Sequence, residues 1–149
     1  MNLPEEITTA CAPLFEALPL ESAMGELLGS HPKQTALVQE ILKHPALANR
    51  PELATGIWLY VDDLDRSHTI SQGIESTTGS YWHGIMHRRE GDFSNSRYWH
   101  RKAGGHPLLV DTPEGLVGEV ERAKGSPIEL VRKQREEWVT LFEWCANSL

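Results

Sequence analysis

The chain has 149 residues, a formal net charge of −7, 40% hydrophobic and 23% charged residues. That length suits one domain with its own core, and the composition excludes a disordered or fibrous chain. An acidic protein repels the nucleic-acid backbone, which disfavours generic DNA or RNA binding. The longest apolar run, Ile57 to Val61, is five residues, far below the roughly 18–20 of a membrane span.

Ile7, Ala10, Cys11, Leu14 and Leu18 repeat at helical spacing, and Pro13 is expected to kink or split that run. Leu20 to Gly29 carries two glycines and no clear period. Leu37, Val38, Ile41 and Leu42 mark a short helix that Pro45 closes. Asn49-Arg50-Pro51-Glu52 reads as a helix start: Asn as cap, Pro in the first turn, Glu three residues on. The helix it opens is expected to carry Leu53, Ile57, Tyr60, Val61 and Leu64 on one face and to end near Asp65 or Arg66. Ser67 to Ser80 is rich in Ser, Thr and Gly and reads as an irregular connection, of a length often kept for function.

Tyr81 to Glu90 reads as a helix ended by Gly91-Asp92, and Ser94 to Ala103 as another ended by Gly104-Gly105. Pro107 to Val110 is the single strand candidate. Thr112-Pro113-Glu114 opens a helix to about Ala123, and Ser126-Pro127-Ile128-Glu129 is the clearest capping signature. The helix after it carries Ile128, Val131, Trp138, Leu141, Phe142 and Cys145 at core spacing. The expected fold is all-α: a single domain over 1–149, with six to seven helices and an irregular connection at about 67–80. Cys11 and Cys145 form no Cys-x-x-Cys pair, and Met1 to Glu6 has no signal-peptide pattern. The expectation is a cytoplasmic protein with reduced, buried thiols.

Charge is uneven. From His83 to His106 there are five Lys and Arg against two acidic residues, and four of the seven histidines. His83 and His87 are four apart and Glu90 three further, so on a helix all three share a face. Two imidazoles so spaced can bind one divalent metal such as zinc, nickel, iron or manganese, with a carboxylate as third ligand. Gly84 stands where the zinc-protease helix has its catalytic Glu, so that protease chemistry is excluded. Asp65 is a further metal-ligand candidate. His68 and Glu75 are candidates for catalytic acid/base work, brought near His83 if the flanking helices pack antiparallel. Asp62, Asp63 and Asp65 would sit at a helix C-terminal end, where negative charge opposes the dipole. That conflict marks either a functional site or a solvated face.

Arg88, Arg89, Arg97, His100, Arg101 and Lys102 interleave with Tyr98 and Trp99. Arginine and aromatic side chains suit a phosphate, a carboxylate or a sugar ring, so Arg88, Arg89 or Arg101 is expected to orient a ligand. Trp58 and Trp99 are expected to wall it. The His68–Pro107 stretch, with its core Gly-Ser-Tyr-Trp-His-Gly-Ile-Met-His-Arg-Arg-Glu, resembles a group of small bacterial proteins. The resemblance spans about a quarter of the chain; it implies a bacterial origin and carries over no activity or functional residue.

The leading expectation is a small cytoplasmic enzyme acting on an anionic or polyhydroxylated small molecule by metal-assisted or His/carboxylate acid-base chemistry. The alternative is a non-catalytic small-ligand-binding or protein-interaction module. Membrane and nucleic-acid partners are disfavoured, and homo-oligomer formation is left open. Convergence of three or more of Asp65, His68, Glu75, His83 and His87 favours the enzyme. Dispersed side chains beside an exposed Trp58/Trp99 surface favour the module.

Overall fold

A computed structural model describes residues 1–29, 31–109 and 114–149. It is all-helical: α1 Glu5–Ala17, α2 Thr35–Ile41, α3 Pro51–Tyr60, α4 Leu64–Ser71, α5 Thr77–Glu90, α6 Phe93–Lys102, α7 Glu114–Arg122 and α8 Ile128–Ser148. No strand occurs among the described residues, and 107–109 is turn and coil. Val110 and the Thr112-Pro113 helix start lie outside the described residues. No helix among the described residues is long and apolar enough to cross a membrane.

Among the described residues eight helices stand where six to seven were expected, because the Ser/Thr-rich connection is itself largely helical. α3 stops at Tyr60, and Asp62 turns the chain in a left-handed conformation, φ 63°. Asp63 then caps α4, its side chain accepting from the Arg66 N–H at 3.1 Å. The acidic cluster is thus at a helix start, where Asp63 and Asp65 favour the dipole; the conflict inferred from a longer α3 disappears. Only 72–76 separates α4 from α5. Ser76 caps α5 through the Gly79 N–H at 3.1 Å, four residues before the expected start.

Other caps differ from the sequence expectation as well. Arg50, not Asn49, is the cap residue of α3. The Ser126 hydroxyl accepts from the Leu27 N–H at 3.0 Å instead of capping α8. Pro13 lies inside a continuous α1. Gly91 ends α5 as expected, with φ 86°, a conformation that glycine adopts without strain.

The core joins Ile7, Leu14, Leu53, Ile57, Trp82 and Phe142, with further apolar side chains, around α5. Trp138 stacks on Phe142 with centroids 4.5 Å apart and donates its indole N–H to the Gly56 carbonyl at 2.7 Å. Both cysteines are free and buried, and burial pushes each thiol up to about 12, so neither is poised to react at neutral pH. From Thr78 to Arg89 every residue of α5 is buried, yet this segment includes His83, His87, Arg88 and Arg89. A fully enclosed helix is normally apolar all round. Enclosure of these polar groups is what builds the site.

Candidate functional site

Two helices bring three imidazoles together. His68 projects from α4, and His83 and His87 from adjacent turns of α5. A ring nitrogen from each lies within 4.8 Å of the others. The His68 centroid is 4.7 Å from that of His83 and 5.3 Å from that of His87, and His83 and His87 are 4.7 Å apart. The other flat face of the site is Trp99 of α6, stacked on His83 at 3.8 Å and 10°.

His83 is 2% exposed, and neither ring nitrogen has a hydrogen-bond partner among the described residues. Buried polar atoms without partners are rare in native proteins and call for an unseen water or ion. Burial, and to a lesser degree His87, His68 and Lys102, holds the His83 imidazole down at about 3, so it is neutral at physiological pH, with a lone pair on one ring nitrogen and a proton on the other. His87 Nδ1 lies 2.5 Å from Glu90 Oε1. A carboxylate there favours the proton on Nδ1 and leaves Nε2 as the free electron pair.

Glu90, expected as a metal ligand, is thus placed behind His87 and outside the three-histidine group. It forms a second group with His87 and Asp92. Asp65 lies in the exposed first turn of α4 and belongs to neither group. His68, expected as a catalytic residue, is in the three-histidine group. Glu75 lines a neighbouring cleft of about 540 Å³ with Gln72, Ser76, Ser80, Trp99 and Lys102. The cleft is framed by the α4–α5 connection and the end of α6, not by α3. A groove of about 570 Å³ between Leu20 and Val139 includes none of the histidines in its lining.

The arginines are corrected by burial. Arg88 is fully buried and donates from Nη1 to both carboxylate oxygens of Glu137, at 2.9 and 3.1 Å. Arg89 is buried against Asp62 at 2.5 Å and the Leu59 carbonyl at 2.7 Å. Both bind internal acceptors and cannot orient a ligand as they stand. Arg101 is exposed and does not line the cleft. The cation that does is Lys102, its Nζ 4.9 Å from the Trp99 ring centroid. The spacing of Trp99 and Lys102, three apart in a helix, was the available signal. Trp58 is buried, with the Arg66 guanidinium 5.1 Å over its ring, and walls no ligand site.

His100 of α6, read from the sequence only as part of the basic and aromatic stretch, is enclosed. It is 3% exposed, with both ring nitrogens unpartnered, and it packs on Gly84, where an added Cβ would sit 2.9 Å from the ring. Glycine there lets α6 approach α5 closely enough for Trp99 to reach His83. Burial first, and Arg88 second, holds His100 down at about 3. In the unfolded chain an imidazole titrates near 6.5. The unfolded state therefore binds more protons between these values, and this contribution to stability is present above about pH 6.5 and lost as pH falls towards 3. At pH 5 the loss is about 2 kcal/mol. Denaturant titrations at pH 7 and pH 5 should show His100→Leu losing less stability than the parent by about that amount; parallel losses would contradict a neutral buried His100. No protein-family model, curated protein or solved structure matches the chain.

Proposed function

We propose that His68, His83 and His87 hold a divalent metal, zinc, nickel, iron or manganese, in a small cytoplasmic enzyme that acts on an anionic or polyhydroxylated small molecule. The observation that carries this reading is the convergence of three imidazoles around His83, a buried ring whose two nitrogens have no partner. Three of the five side chains named as the test of an enzyme meet, and Trp58 offers no exposed surface; both facts support the enzyme over a binding module.

Three imidazoles fit a borderline divalent ion, and three protein ligands are the number that leaves a coordination position open. An ion so held supplies Lewis acidity. The chain's own groups do the rest. Glu90 holds the His87 proton at Nδ1. Trp99 shields one face of His83 from water. Glu75, in the adjoining cleft, is the carboxylate available to take or return a substrate proton.

The test is metal content and zinc affinity of protein purified without a His-tag. One equivalent per chain is expected. Glu90→Gln keeps the shape but removes the charge that orients His87, and is expected to weaken zinc binding by about 10–100-fold. Absence of stoichiometric binding by every one of the four metals would overturn the reading.

A further inference from the structure

We infer that the cleft beside Trp99 is an anion subsite in which Lys102 receives the single carboxylate or phosphate group of a small hydroxylated molecule. Its use for substrate rests on the metal-centre reading; the anion site itself does not.

The cleft and the histidine cluster share α5, the end of α4 and Trp99. Ser80 lies three residues before His83 on α5, and Gln72 four residues after His68 at the end of α4. Each is about one helical turn, near 5.4 Å, along the face that carries the imidazole. A molecule seated in about 540 Å³ there is within a turn of His83. Lys102 has no carboxylate partner among the described residues. Its Nζ is 4.9 Å from the Trp99 centroid and 5.5 Å from that of Tyr98, so the two rings hold the ammonium without neutralising it. Arg88, Arg89 and Lys33, by contrast, are each paired with a carboxylate.

The other lining groups set the specificity. Ser76, Ser80, Thr77 and Gln72 offer hydroxyl and amide partners, although the Ser76 hydroxyl already accepts from Gly79. Glu75 lines the same cleft and accepts hydrogen bonds from substrate hydroxyls while repelling a second anion. The combination selects a molecule with one acidic end and hydroxyl groups elsewhere, and disfavours a dicarboxylate or bisphosphate of the same size.

Inorganic phosphate is the probe, titrated into isotope-labelled full-length protein with backbone amides followed by NMR. Shifts are expected to centre on residues 72–80 and 99–102. Lys102→Met should weaken phosphate at least tenfold, whereas Arg101→Met, on a neighbour that does not line the cleft, should leave it unchanged. Shifts centred elsewhere, equal binding by Lys102→Met, or equal weakening by Arg101→Met would overturn the subsite. Phosphate binding here without zinc binding would remove the metal reading and leave the subsite. Zinc binding without phosphate binding would do the reverse.

Discussion

His83→Ala is expected to abolish the response of the protein to zinc. Saturating a site at 100 times its Kd stabilises a fold by about 2.7 kcal/mol, which for a domain of this size raises Tm by roughly 5–10 °C. The parent protein should show that rise and the variant almost none. The loss should exceed the about 10–100-fold effect of an outer-shell partner, because alanine removes one of three ligands and the stack between His87 and Trp99. Unliganded variant and parent should differ less, since the lost packing is offset by removing two buried nitrogens without partners. The His87, Glu90 and Asp92 group remains intact in the variant. Equal zinc stoichiometry and equal Tm shifts in both proteins would therefore place the metal there instead.

Asp62→Ala is expected to be the most destabilising single change outside the apolar core. Asp62 is buried at the turn after α3, with one oxygen 2.5 Å from Arg89 Nη2 and the other 2.5 Å from Lys33 Nζ. Burial lowers the Arg89 pKa and Asp62 counters that effect. Without the carboxylate, a fully enclosed guanidinium keeps, among the described residues, the Leu59 carbonyl as its hydrogen-bond acceptor. Breaking a buried pair by removing one member costs about 3–5 kcal/mol, a large share of the about 5–15 kcal/mol that holds a domain together. Urea titration should show that loss. The double variant Asp62→Ala/Arg89→Met should recover part of it, because no charge is then stranded. A loss under about 1 kcal/mol would mean that the pair is effectively solvated.

Local signals carried the fold class and the α5 histidines. Gly91 ends α5 because the backbone there turns left-handed, φ 86°, and the i, i+4 spacing put His83 and His87 on one face without tertiary information. α4 was not legible. Its sequence, Leu-Asp-Arg-Ser-His-Thr-Ile-Ser, has few strong helix formers, and it is held by packing and by the buried Ser67–Thr55 hydroxyl contact at 2.9 Å. Missing α4 left His68 on an undefined connection and put Asp65 at the end of an over-long α3. The fate of Arg88 and Arg89 was equally hidden. Their partners, Glu137 and Asp62, lie 49 and 27 residues away, and no local pattern distinguishes a buried arginine from one awaiting a ligand.

The enclosure of α5 bears on how a bound ion would be chosen. Two of the three imidazoles sit on a helix that cannot shift without disturbing α3, α4 and α6 together, since Gly56 and Gly84 admit Trp82 and His100 at contact distance. Little ordering would then remain when an ion arrives. Such rigidity should make the site discriminate among cations by radius and preferred geometry more sharply than a site assembled from loops.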